Sequence, residues 1–169
     1  MGIPEIIILA SMIIGTWIFY PLIFGAIWQP TPMEKVSRML EMAEVGSKDV
    51  LYDLGSGDGR MITTAAREFG ARAVGIEVDP ILVSWSRIRI RTSGLSGRAR
   101  IIRGNLFKSD ISEATVVTLF LRQGVNNALR EKLKRELKPG TRIVSYVHTF
   151  EGWKPVKVDE KLEIYLYVV

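Results

Sequence analysis

Glycines at 55, 57 and 59, an acid just ahead of them at Asp53 and a second acid at Glu77 form the strongest chemical pattern in this chain. The stretch Val50-Leu51-Tyr52-Asp53-Leu54-Gly55-Ser56-Gly57-Asp58-Gly59-Arg60 predicts an apolar strand, an acid at its end and a glycine-rich turn into a helix. Glycines let a backbone turn sharply and let a ligand approach it closely. The helix start that follows offers free N–H groups. The spacing departs from the dinucleotide fingerprint G-x-G-x-x-G. The third glycine falls one position early, and Arg60 stands where it should be. Asp53 would repel a pyrophosphate and attract a ligand that carries an ammonium group.

Arg72 to Glu77 predicts the next strand, with its acid about 20 residues past the loop, the spacing at which a carboxylate takes ribose hydroxyls. A nucleoside with an ammonium and no phosphate suits both acids, and S-adenosylmethionine is such a molecule. Turn and acids together predict a class I methyltransferase core; the rival is a nucleotide-binding sheet of another kind. By position, Asp53 meets the methionine ammonium. The loop residues Gly55, Ser56, Gly57, Asp58 and Gly59 surround the methionine part, and Glu77 takes the ribose. Asn105 and Leu106, just past the third strand, are placed for the adenine, although Asn105 has a plainer reading as a turn-maker. Thr31 is a candidate for the cofactor carboxylate, but a helix-capping role alone explains it.

The elements that hold these residues follow from periodicity. Thr31-Pro32-Met33-Glu34 predicts a helix start with Thr31 as its cap, and Met33, Val36, Leu40 and Ala43 its apolar stripe. Crossover helices are expected over 61–69 and 80–92. Strands are expected over 99–103, 115–121 and 142–150. Val125, Leu129, Leu133 and Leu137 mark a long helix stopped by Pro139-Gly140. Residues 153–158 and 161–168 predict a hairpin turned at Asp159-Glu160. Strand–helix alternation closed by a hairpin predicts an α/β fold: a Rossmann-like, mostly parallel seven-stranded sheet with an antiparallel C-terminal hairpin.

The 169 residues allow one modest domain plus an extra segment, and there is no cysteine. That excludes disulfides, thiol chemistry and the pyrimidine C5 methyltransferases, which need a cysteine nucleophile. Scarce Asn and Gln lean thermophilic. A net charge of +5 suits nucleic acid or an anionic membrane. Residues Ile6 to Trp28 carry no charge. At 1.5 Å per residue such a run covers the roughly 30 Å hydrocarbon core, with Trp17, Tyr20 and Trp28 as interface aromatics. We therefore expect residues 1–29 to be an uncleaved single-pass transmembrane helix and residues 30–169 the methyltransferase domain. The alternative is an apolar helix packed on the domain. Lys35 and Arg38 follow the span and Glu5 precedes it, which puts the domain on the cytoplasmic side.

Where the fourth and fifth strands end, Phe120, Arg122, Asn126, Tyr146, His148 and Trp153 are candidates for the acceptor pocket. His148, the only histidine, would serve O-methylation as a base, but has a plainer reading as a satisfied strand residue. The arginines from Arg87 to Arg103 are either a solvated helix face or a contact for anionic lipid headgroups. No metal site is expected.

Asp53-Leu54-Gly55-Ser56-Gly57-Asp58-Gly59-Arg60, then Gly75-Ile76-Glu77 with Pro80, then Leu82-Val83-Ser84-Trp85-Ser86-Arg87, resemble the membrane-anchored lysine methyltransferases that act on the ADP/ATP translocase and the ATP synthase c-subunit. Pro30-Thr31-Pro32 and Leu137-Lys138-Pro139-Gly140-Thr141-Arg142 are similar to soluble archaeal protein-lysine methyltransferases. The resemblance implies S-adenosylmethionine as cofactor and transfer of its methyl to an exposed lysine of a membrane-associated protein, with membrane lipid as neighbour. The resemblance implies a mitochondrial membrane only for a eukaryotic source, and the N-terminus departs from the family in lacking the basic residues of a mitochondrial address. Rival functions are methylation of a lipid or small molecule at the membrane, and a non-catalytic binding module. Nucleic acid is not expected: there is no aromatic-rich basic groove and no Asp/Asn-Pro-Pro-Tyr motif.

Overall fold

The computed structural model describes residues 7, 8, 11 and 29–169. The span expected over residues 6–28 lies almost wholly outside them. No helix among the described residues is long and apolar enough to cross a membrane.

The described chain runs α1 (Met33–Met42), β1 (Val50–Leu54), α2 (Arg60–Glu68), β2 (Arg72–Glu77), α3 (Pro80–Thr92), β3 (Ala99–Arg103), β4 (Val116–Leu119), α4 (Gln123–Glu136), β5 (Arg142–Tyr146), β6 (Lys157–Asp159) and β7 (Ile164–Val168). The seven strands form one sheet in the order β3-β2-β1-β4-β5-β7-β6. The first five are mutually parallel, and β7 runs antiparallel to β5 and to β6.

Strand alternation sorts the side chains into two cores. Leu51, Ala73, Ile101, Val116 and Val144 point to one face and pack with Val36, Leu40, Ile62, Val83 and Ile90 of α1, α2 and α3. Tyr52, Val74, Ile76, Val117 and Ile143 point to the other and pack with Leu129 and Leu133 of α4. Burying each such side chain stabilises the fold by about 1.5–3 kcal/mol. Strand order reverses between β1 and β4, so a crevice opens beyond their carboxyl ends, where ligands of open α/β sheets bind.

Several expected boundaries shift, each for a local reason. Thr31 does not cap α1; Pro32 holds the cap position, without a side-chain bond. Met33 of the expected stripe is exposed. The fourth strand starts after Thr115, whose hydroxyl bonds Asp49, and ends where 120–122 turn into α4. The fifth stops at Tyr146, because Val147 takes a left-handed φ of 66°. The first hairpin arm shrinks to Lys157–Asp159, since Trp153 packs into the core and Pro155 has no N–H to pair. The second arm starts at Ile164, after a turn in which the Asp159 carboxylate accepts from the Leu162 N–H.

Close packing at Gly59 fixes how α2 meets α3. Gly59 sits at φ +78°, and a Cβ there would lie 2.1 Å from the Ser86 hydroxyl oxygen of α3. Gly59→Ala combines a left-handed alanine with a clash, and overpacking of this kind costs about 1–3 kcal/mol. We expect a clear drop in melting temperature, measured by circular dichroism; an unchanged melting temperature would refute the close approach.

Candidate functional site

The glycine loop lies at the strand-order reversal, between β1 and α2. Gly55, Gly57 and Gly59 all have left-handed φ values, of 79°, 55° and 78°. The Gly55 and Ser56 N–H groups both donate to the Ile76 carbonyl, at 2.9 and 3.0 Å. The loop is therefore tied to the end of β2. A cleft opens over it, lined among others by Gln29, Thr31, Asp53, Ser56, Met61 and Phe120. Gly57, Asp58 and Arg60 line it too.

The two acids of this loop have different fates. Asp58 receives Nε and Nη2 of Arg60, each at 2.9 Å, and Nη2 of Arg89 at 2.7 Å. Its burial pushes the carboxyl up, but the bonds from Arg60 and the charges of Arg89 and Arg60 outweigh this and hold it below the usual carboxylate range. Asp58 thus lines the cleft as an acid already paired with two arginines. Asp53 is also buried, yet has no cationic partner among the described residues; it accepts the Thr118 hydroxyl at 2.8 Å. Burial pushes it up to about 6, against the Thr118 and Ser56 hydroxyls and with the charges of Glu77 and Asp58 adding. A buried carboxylate that faces a cleft without a counter-charge is a site for a ligand cation.

Glu77 lies at the end of β2. Its Oε2 accepts the Gly57 N–H at 2.8 Å, and its Oε1 accepts those of Val78 and Asp79 at 2.8 and 3.0 Å. It fixes the loop, and its Oε2 keeps one acceptor site for a hydroxyl. Asn105 is exposed and its side chain accepts the Phe107 N–H at 2.9 Å, so in this structure it makes a turn. Leu106 packs beside the α4-side core. Thr31 reaches the cleft, and its carbonyl accepts Nη1 of Arg60 at 2.9 Å.

On the acceptor side Phe120, just beyond β4, lines the cleft. Its ring lies 4.6 Å from that of Tyr146, at the end of β5. The Lys35 ammonium stands over Tyr146, 6.0 Å from the ring centre. Arg122 is exposed before α4. Asn126 does not line the pocket: it is fully buried, and its amide donates to the Ser145 hydroxyl and to the His148 carbonyl. The Ser145 hydroxyl donates to the same carbonyl. These bonds hold a tight turn in which the His148 N–H meets the Tyr146 carbonyl at 2.8 Å across Val147. A β-branched residue at left-handed φ costs about 1–3 kcal/mol and persists only where its surroundings enforce it. Trp153 is also elsewhere, stacked with Phe150 and Tyr167 under Lys134. Thr118 and Lys35 escaped sequence reasoning. Thr118 matters through the register that sets it beside Asp53, and Lys35 through the packing of α1.

A glycine loop at the sheet's reversal point, a free acid near the end of β1 and a loop-binding acid at the end of β2 define the S-adenosylmethionine-dependent methyltransferases of class I. The chain belongs to the family described as the ANTKMT methyltransferase domain, whose profile matches residues 53–157. It is similar to a protein-lysine N-methyltransferase of Saccharolobus islandicus, at 48% identity over 147 residues, covering 83% of this chain and 91% of that one. It is 37% identical to the mouse adenine nucleotide translocase lysine N-methyltransferase over 67% of this chain, and spans 49% of that relative's length. Its fold matches a Salinibacter ruber protein described as an RNA methyltransferase, in complex with S-adenosyl-L-homocysteine, at a TM-score of 0.81 and 48% identity, covering 83% of this chain and 94% of that one. S-adenosylmethionine is the methyl donor.

The residues fit that molecule, with Asp53 offering the charge its ammonium needs. Binding draws on ionised Asp53, so affinity should be level above pH 6 and weaken as pH falls through about 6. Asp53→Asn should weaken binding and abolish this pH dependence, measured by titration calorimetry. The raised carboxyl also opposes folding. Its contribution is fully favourable below the unfolded pKa near 3.8 and is lost as pH rises through about 6. Removing the charge at pH 7.5 should therefore stabilise the free protein, by up to about 3 kcal/mol.

Proposed function

We propose that this methyltransferase acts on lysine side chains of proteins at a membrane surface. The observation that carries the reading is the aromatic pair of Phe120, which lines the cleft, and Tyr146, over whose ring a lysine ammonium, that of Lys35, already lies. An electron-rich ring face holds such a cation. The two relatives whose names specify lysine support the same acceptor.

Bound S-adenosylmethionine supplies an electrophilic methyl group on sulfonium sulfur. The chain's residues supply orientation. Asp53 holds the amino-acid end by charge, and Glu77 keeps the glycine loop in place to receive it. The acceptor amine must lose a proton first. From a reference pKa near 10.4, that costs about 4.6 kcal/mol at pH 7. Exclusion of water beside Phe120 and Tyr146 lowers that cost by desolvation, while the ring faces hold the charged amine on arrival and the methylated ammonium after transfer. The deprotonated amine then needs placement more than activation, and no dedicated base is required.

The uncharged run from Ile6 to Trp28 is the anchor in this reading, with the domain on the cytoplasmic side. Gln29 and Pro30, directly after the run, line the cleft. The cleft therefore opens close to the end of the proposed span, within reach of membrane proteins.

The test is the full chain in vesicles with membrane extract and methyl-labelled cofactor. Label recovered as N-methyl-lysine from membrane proteins is expected. Label in the lipid extract would replace the substrate class with a lipid, and label in RNA would follow the Salinibacter description. Cofactor binding without transfer to any fraction would make the chain a binding module. Phe120→Ala should lower kcat/KM for lysine while leaving cofactor affinity near its original value. Full-length protein washed from membranes by carbonate would refute the anchor.

A further inference from the structure

Helix α3 is apolar on two opposite faces. Val83, Ser86 and Ile90 are buried against the sheet. Ile81, Trp85 and Ile88, spaced i, i+4, i+7, form the stripe on the far side and are 47%, 64% and 57% exposed. A surface helix ordinarily turns its polar side outward; here the outward side is apolar. Arg87 and Arg91 run along one flank of the stripe, and Arg89 on the other turns to Asp58. Val78, just before the helix, is also exposed. Contiguous apolar surface of this kind marks a contact with a second body.

Two observations choose that body. From Pro80 to Ser109 the chain has no acidic residue and carries arginines at 87, 89, 91, 98, 100 and 103. That charge complements an anionic surface. The second is where the undescribed chain ends. Arg60 grips the Thr31 carbonyl and shares Asp58 with Arg89 of α3. One carboxylate thus ties α3 to the point at which the uncharged run of residues 6–28 joins the domain. A tryptophan between aliphatic residues, rimmed by arginines, is the composition of an interfacial helix face.

We propose that the outward face of α3, with Ile81, Trp85 and Ile88 inserted and Arg87 and Arg91 at the headgroups, docks on an anionic bilayer and sets how the cleft faces it. The proposal rests on the membrane reading above, and the test separates the two.

The protein has no cysteine, so Ile88→Cys gives a single thiol for a nitroxide spin label. Glu131→Cys, on α4 across the sheet and with a side chain 70% exposed, is the control. The full chain is reconstituted in phosphatidylcholine vesicles with or without phosphatidylglycerol, and flotation is measured first. On anionic vesicles the label at 88 should lose most of its collisions with an aqueous nickel complex and gain collisions with oxygen, while the label at 131 stays water-exposed. Arg87→Gln with Arg91→Gln should reverse much of that shift. Protein that floats while the label at 88 stays wet overturns the docking face and leaves the anchor standing. Equal shielding on phosphatidylcholine alone overturns the anionic partner. Shielding without vesicles assigns the face to a second copy of the chain, and also overturns the proposal. Protein that does not float overturns the membrane reading together with this one.

Discussion

The site depends on the Glu77 carboxylate. At the end of β2 it binds the Gly57 N–H of one loop and the Val78 and Asp79 N–H groups of the next. An ionised acceptor makes hydrogen bonds about twice as strong as neutral ones. These bonds join two glycine-permissive or irregular segments that have no ladder partners of their own. The glycine loop keeps one shape because of them, and the shape presents its backbone to a ligand. Gly75 makes the close approach possible: a Cβ there would lie 2.4 Å from the Ser56 hydroxyl oxygen.

Charge in this site is divided by pairing. Asp58 and Asp53 are both acids of the β1–α2 region, and both are largely buried. Two guanidiniums neutralise Asp58, and the resulting network links the N-terminal approach, the glycine loop and α3. Asp53 is left with neutral hydroxyl neighbours alone. An unpaired buried carboxylate opposes folding and favours a cationic ligand for the same reason: in low dielectric the charged form lacks a partner. Stability is given up where binding is needed.

The acceptor side is organised by backbone strain. Asn126 and Ser145 converge on the His148 carbonyl and force Val147 to left-handed φ. Tyr146 is the residue at the start of that turn, and its ring meets Phe120 at the cleft. Asn126, buried in the interior of α4, thus helps to fix the aromatic wall.

The sequence by itself determined the elements and the cofactor end of the site. Apolar alternation and helical stripes are local periodicities, so strands at 72–77 and 99–103 and the helix at 80–92 were legible to the residue. Glycine spacing and the two acids are local as well, because loop and strand end are adjacent in sequence. Strand ends at 119 and 146, and the hairpin arms, were not legible: they stop where long-range bonds, a strained turn or a packed tryptophan compete with propensity. Position in the sequence already set Asp53 at the ligand ammonium, and Arg60 is a near neighbour of Asp58. Tertiary structure added Arg89, which reaches Asp58 only when α3 packs beside the loop, and left Asp53 without a cation among the described residues. It also decided that Asn126 is buried on the Ser145–His148 turn, that Trp153 packs with Phe150 and Tyr167, that Thr118 faces Asp53, and that α3 turns an apolar stripe outward. Each is a relation between residues far apart in the chain, and only packing brings such residues together.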